Sequence, residues 1–292
     1  MRGSTLEAHR QAPDSYEHLR EQVLTRHDQL SRQLQRIGRF SIENPDMVAL
    51  ETVTSVARKA DVQPSAIVRF AKAFGYDGFS SMQQVFRQNL ITSQGSYRDR
   101  IRSLSEPGTG EPSNVLTDFV RAAISSLEQL QASSAEQKLE DAVAVLSDAR
   151  DIYLLGYRRA FAVAQYLDYA LSRLERRCIL ADGAGGMLDQ QLARCDKSDA
   201  VIAISFTPYT EAIIEQANRL ARAGVKVIAI TDSPLSPLAG ASSVAFDIHE
   251  GDTAFRSLVA PMCLAQTLVV SLGQELSKRE KQNAKAGKGA PD

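Results

Sequence analysis

Two sets of residues in this 292-residue chain have types and spacings that could do chemistry. Gln63, Ser65, Ala66, Arg69 and Lys72 share the exposed face of a short helical pattern that begins at Pro64. Small and polar groups near a helix N-terminus can approach base edges, while Arg and Lys bond to bases or phosphates. The same pattern also fits a plain helical hairpin with a solvated basic face, and spacing alone leaves both readings open. The second set succeeds the apolar runs of the later chain: Gly156, Arg158 and Arg159, then Ser205, Thr207 and Thr210, then Ser233, then Arg256. Hydroxyls and rigid guanidinium forks of this kind suit carboxylate, phosphate or hydroxyl groups of a small molecule. Cys178, Cys195 and Cys263 are odd in number and show no CxxC spacing. Neither a disulfide framework nor a zinc site is therefore expected, and no cofactor is implied.

The elements that must position these groups are legible as periodic patterns. Residues 16–92 read as nearly continuous helix. Leu19, Val23, Leu30, Leu34 and Ile37 fall on one face of a single helix over Tyr16–Gly38. Asn44 as cap and Pro45 at the first position signal the next helix start. Val53, Val56 and Ala57 give a further helix its inner face. Ala60-Asp61-Val62 makes the turn after it, with Val62 as an apolar pin. Pro64 suits the first turn of the next helix, where its missing N–H costs nothing. Ile67, Phe70, Ala71 and Phe74 form the buried stripe of that helix, and Gly75 closes it in the left-handed conformation. Residues 93–114 read as a linker, since EPGTGEPSN is rich in Pro, Gly and Ser.

Helical patterns over 115–130 and 134–149 then lead to a different rhythm. Short apolar runs stand at Ile152–Leu155, Cys178–Ala181, Ala200–Ser205, Val225–Thr231 and Val244–Ile248. Helical stretches separate most of them, as at Ala160–Leu174 and Thr210–Ala223, and a last one covers Ser257–Leu276. Buried strands alternating with helices imply a parallel sheet covered on both faces. The expected architecture is an all-α helix-turn-helix domain over 16–92 and an α/β domain over 115–276, with a polar, disordered tail at 277–292. Open α/β sheets bind ligands at the C-terminal ends of their strands, where helix N-termini supply N–H donors to anions. The glycine-rich Asp182–Gly186 and the segment His249–Ser257, with Glu250, Asp252 and Arg256, fall at such ends. A flexible turn explains the first equally well, and a solvated charged loop is the favoured reading of Asp252 in the second.

Composition sets limits without deciding function. The chain is 43% hydrophobic and 24% charged, without Trp. No apolar run reaches the roughly 18–20 residues that cross a bilayer, and Met1–Gln11 lacks the apolar core of a signal peptide. A cytoplasmic protein with reduced thiols and no membrane partner is expected. Residues 1–104 carry 15 Lys/Arg against 11 Asp/Glu, and the remainder 19 against 24. A net +4 in the first part, against −5 in the second, permits contact with a phosphate backbone and does not establish it.

The segment Ala57–Phe79 closely resembles the N-terminal domain of RpiR-type transcriptional regulators. The family pattern falls on Val62, Gln63, Ile67-Val68-Arg69-Phe70, Phe74-Gly75-Tyr76 and Gly78-Phe79. Gln63 and Ala66 stand where the family usually has serine and threonine. The match implies a DNA reader over about residues 16–92 whose operator sequence does not carry over from relatives. Residues 125–275 resemble the SIS (sugar isomerase) domain that completes these regulators, a five-stranded parallel sheet between helices. The loop G156-Y-R-R-A160 departs from the usual G-x-G-x-S, and S205-F-T-P-Y-T210 departs from S-x-S-G-x-T. T231-D-S-P-L-S-P-L238 stays close to the family pattern. The resemblance implies control by a sugar-phosphate-like or polyol-derived effector. It also implies a homodimer or homotetramer on double-stranded operator DNA, acting as a repressor of carbohydrate or polyol catabolism genes. Arg158 or Arg159 then replaces the lost polar contacts; the alternative is that both are solvated charges beside a pocket for a neutral polyol, or an empty one.

The rival reading is an isomerase-like enzyme on the same fold. Its general base would come from His249 or Glu250, the one adjacent pair of candidates near a strand end. An isolated isomerase has no use for residues 16–92, so no enzymatic activity is expected.

Overall fold

The computed structural model describes residues 12–94, 112–133, 135–248 and 257–287. The chain divides into two compact units between Asn114 and Val115.

The first unit is all helical. α1 (Tyr16–Arg26) is capped by Ser15, whose side chain accepts from the His18 N–H. The single helix expected over Tyr16–Gly38 is in fact two. A 3-10 turn at His27–Gln29 and an extended Leu30 end the first, and the Ser31 hydroxyl caps α2 (Arg32–Glu43). The fold-back puts α2 against its neighbours at Gly38, where a Cβ would lie 2.9 Å from Val23 Cγ1 and 3.4 Å from the Phe70 ring. Val23 and Ile37 are buried as the periodicity requires. α3 (Pro45–Leu50) begins with proline at its first position. Asn44 does not cap it, because its side-chain amide donates to the Phe40 carbonyl of the preceding helix.

α4 (Val53–Lys59) and α5 (Pro64–Ala73) form the helix-turn-helix. Thr52 caps α4 by accepting from the Ser55 N–H at 3.3 Å. Asp61 takes a left-handed φ of 53°, which lets the Val62 N–H return to the Ala57 carbonyl at 2.9 Å. Ile67, Phe70, Ala71 and Phe74 are all buried, and the Phe70 and Phe74 rings meet at 4.9 Å, tilted 51° to each other. Gly75 ends the helix at φ 87°, with the Tyr76 N–H on the Ala71 carbonyl. α6 (Phe79–Gln94) packs along α3.

The second unit opens with α7 (Pro112–Ala132) and α8 (Ala135–Asp148). A five-stranded parallel sheet comes next, in the order β2-β1-β3-β4-β5. Its strands are β1 (Ile152–Gly156), β2 (Cys178–Leu180), β3 (Ala200–Ile204), β4 (Lys226–Thr231) and β5 (Val244–Asp247). Alternate residues feed opposite faces. Leu154, Ile202 and Ile228 meet α8, α9 (Phe161–Ser172) and α12 (Val259–Gly287), while Leu155, Val201 and Val227 meet the short α10 (Leu188–Gln191) and α11 (Glu211–Arg222). Each strand is therefore wanted apolar on both sides, which is why the sequence shows continuous runs rather than alternation. At the N-terminal edge the buried Asp199 carboxylate accepts from Arg150 and from the Asp151 and Asp196 amides, pinning the starts of β1 and β3.

The tail expectation is corrected in part. Helix continues through Gly287, braced where Arg279 bonds Glu275 and Asp148. Among the described residues, the Val259–Asn283 stretch of this helix is long and apolar enough by composition to span a membrane. Its Leu264, Ala265, Leu268 and Leu272 side chains are instead buried against the sheet.

Candidate functional sites

The exposed face of α5 carries Gln63, Ser65, Arg69 and Lys72. Gln63 occupies the cap position but makes no side-chain capping bond, and Pro64 stands next at the first helical position. Ala66 is a correction. It is wholly buried, because it lies one residue from Ile67 and four from Phe70 on the packed side of the helix. Its methyl belongs to the core and cannot read a base. Two partners of this face come from outside the sequence pattern that marks it. Gln33 on α2 accepts from the Arg69 guanidinium at 2.8 Å, and Arg36 bonds both the carbonyl and the carboxylate of Asp61 in the turn. A signal exists for Arg36 alone of the two: Arg32, Arg36 and Arg39 recur at helical spacing and all three are exposed.

In the second unit the connections from β1 leave to β2 on one side and, after β2, return to β3 on the other. This reversal opens a crevice between the C-terminal ends of β1 and β3. The β1 loop and the β3 loop meet there, with the Arg159 guanidinium 4.6 Å above the Phe206 ring. The β3 loop is tied in turn to the β4 loop, since the Thr207 N–H donates to the Asp232 carboxylate at 3.1 Å. Phe206 and Asp232 are thus site residues that the sequence did not single out, although both lie within the loop segments that carry the family resemblance.

The expected residues divide into those that shape the crevice and those that reach it. Gly156 admits the start of α9: a Cβ there would lie 3.0 Å from the Ala160 carbonyl oxygen and from the Ala164 Cβ. Ser205 is buried, and its hydroxyl accepts from the Thr210 N–H at 3.1 Å. Ser233 is buried too, its hydroxyl accepting from the Leu235 N–H to close a turn. Arg159, Thr207 and Thr210 are half-buried at the rim. Arg158 is exposed and holds a left-handed φ of 56°, so the two arginines have different environments. Arg256 lies outside the described residues, as do His249, Glu250 and Asp252.

The glycine-rich turn after β2 packs onto the same rim. Gly183 has φ 69°, and any Cβ on it would collide with the Tyr157 hydroxyl. Asp182 accepts from Gln191 and from the Ala184 N–H, and these bonds hold its carboxyl below the ordinary 3.8. Burial, with Asp182 adding to it, pushes the Tyr157 phenol up. Among the described residues no group of His, Cys, Asp and Glu is arranged to hold a metal. Burial also pushes the Cys178 and Cys195 thiols up to about 12.

Residues 145–271 match the SIS domain family. The bifunctional protein glk of Burkholderia mallei is 26% identical over 227 residues, covering 78% of this chain; the chain spans only 34% of that relative's length. An uncharacterized HTH-type transcriptional regulator of Caldanaerobacter subterraneus is 24% identical over 248 residues, covering 85% of this chain and 86% of its own. Among solved structures, the Vibrio vulnificus NanR protein complexed with ManNAc-6P shares the fold at a TM-score of 0.55 and 20% identity, over 92% of this chain and 97% of that one. The sugar isomerase domain of an RpiR transcription factor from Sphaerobacter thermophilus does so at 0.51 and 23% identity, over 61% and 98%. The match identifies a SIS domain over residues 145–271, and these solved structures share its fold.

Proposed function

We propose that the chain is a DNA-binding transcriptional regulator, a repressor of carbohydrate or polyol catabolism genes, that responds to a carbohydrate-derived effector. The observation that carries this reading is the pairing, in one chain, of an exposed polar face on α5 with a SIS crevice lined by Arg159, Thr207 and Thr210. NanR holds a phosphorylated sugar derivative, and the half-buried guanidinium of Arg159 suits a phosphate or carboxylate. These facts support a sugar phosphate as the effector ahead of a neutral polyol. Single helix-turn-helix units bind weakly, and paired ones match half-sites about one helical turn apart. A homodimer or homotetramer is therefore part of the proposal, and the exposed Leu116, Val120 and Ile124 on α7 are the surface we assign to self-association. The protein is read as cytoplasmic and non-enzymatic.

An effector changes DNA affinity only by binding DNA-compatible and incompatible states unequally. The experiment is a titration of the full chain on duplex DNA from beside its own gene, with and without sugar phosphates and polyols. At least one compound that binds the protein should move the dissociation constant. A footprint indifferent to every ligand bound would sink the reading. Aldose–ketose conversion by the same preparation would instead establish an enzyme.

A further inference from the structure

In the helix-turn-helix unit, α2 does more than fill the core. Its inner side packs on α5 at Gly38 and Phe70, while its outer side runs beside the exposed face of α5. Gln33 reaches across to hold the Arg69 guanidinium at 2.8 Å. One turn further along, Arg36 spans to the turn before α5, bonding the Asp61 carboxylate at 2.8 Å and its carbonyl at 3.1 Å. Both members of that ion pair are well exposed. Arg32, Arg36 and Arg39 fall in one exposed row, at steps of four and three, bordering the helix assigned to base reading. Arg39 also faces the half-buried Glu43 one turn on.

We propose that α2 is a second DNA-contacting element, its Arg32 and Arg39 tracking the phosphate backbone at the edge of the groove that α5 enters and its Gln33 setting the direction of Arg69. Like charges along an exposed helix repel one another, whereas a duplex offers regularly spaced phosphates. Arg69 has many rotamers, and a fixed acceptor beside it narrows them before DNA arrives. Asp61 places a carboxylate at the same rim, where phosphates would repel it. The Arg36 guanidinium neutralises that charge and is thereby withheld from phosphate. Gln33 is a positioning residue, and Arg32 and Arg39 are direct contacts.

This inference rests on the DNA-binding reading, and the test separates the two. The full chain is titrated on a mixed-sequence duplex across a range of salt, and thermal unfolding confirms that each variant is folded. Each lost phosphate contact lowers the slope of log affinity on log salt by about 0.9, so Arg32→Ala with Arg39→Ala should flatten it by about two per subunit. Asp61→Asn keeps a residue type that accepts the left-handed turn and should steepen the slope by about one, because Arg36 is released. Gln33→Ala should leave the slope in place and broaden base preference in selection from a random duplex pool. An unchanged slope in the Arg32/Arg39 variant overturns the proposal whatever the other two do. If Arg69→Ala with Lys72→Ala weakens binding while that slope is unchanged, only the role of α2 fails. If neither pair of substitutions alters binding, the DNA reading of the unit fails with it.

Discussion

Arg158 stands where the family loop usually has its second glycine, and its φ of 56° explains that glycine. An L-residue with a side chain gives up about 1 kcal/mol in this region. Arg158→Gly should therefore leave the SIS unit as stable or up to about 1 kcal/mol more stable in thermal unfolding. Arg159, folded over Phe206, belongs to the crevice. Arg159→Ala should weaken effector binding about tenfold by calorimetric titration, the scale of one charged hydrogen bond. Equal losses from the two substitutions would refute this division of roles. A third residue-scale expectation concerns the cysteines. Burial first, then nearby carboxylates, raises the Cys178 and Cys195 thiols to about 12. Only the thiolate is nucleophilic, so at pH about 8 both should alkylate far more slowly than a free thiol, and mass mapping of labelled peptides checks it.

At the scale of elements, α5 has two sides with separable failures. Phe70 is wholly buried and packs tilted against Phe74. Phe70→Ala should destabilise the first unit by about 3–5 kcal/mol and abolish DNA binding, while effector binding in the second unit persists. Ala66→Gln should behave likewise at about 2 kcal/mol, because it forces a long polar side chain into a filled site. A stable Ala66→Gln protein with an altered base preference would restore Ala66 to the reading face. The loops over the sheet are coupled elements too. Gly183→Ala combines a strained φ with a collision at Tyr157, so it should disturb the β1 and β2 loops together. The Asp182 carboxyl is depressed, so its contribution to this turn is present above its ordinary 3.8 and is lost as pH falls through the lower folded value. Protease nicking of residues 182–191 should rise only in that acid range.

For the whole molecule, the proposed regulation makes the two units different halves of one linkage. The first presents a polar helix face and an arginine row, the second a crevice at the switch point of a parallel sheet. Coupling between them requires that effector and DNA favour different states, and it is reciprocal by necessity. Operator DNA should thus lower effector affinity by the same factor that effector lowers DNA affinity, which paired titrations measure. On α7 the exposed row Leu116, Val120 and Ile124 should carry self-association. Ile124→Glu should shift the sedimentation profile toward the monomer and weaken operator binding with it. An unchanged profile would remove α7 from the assembly.

The sequence by itself determined the features set by period and by local backbone demands. Five apolar runs specified five strands, and Thr52, Pro64 and Gly75 punctuated the helix-turn-helix, because these signals act within one turn or one strand. It could not show that Tyr16–Gly38 breaks in two, since Leu30 and Leu34 kept the helical period while Ser31 and the packing of Gly38 on Val23 and Phe70 imposed a reversal. Arg158, Arg159, Ser205, Thr207 and Ser233 follow strand ends as the apolar runs imply, yet what each side chain touches was decided by burial. Ser205 and Ser233 turned inward to shape loops, and Arg159 found Phe206 across the crevice. On α5, Gln63, Ser65, Arg69 and Lys72 stayed exposed, and Ala66 went to the core. Gln33 joined that exposed face from another helix, 36 residues away in sequence. Such a contact is fixed by how helices pack, and no local pattern encodes it.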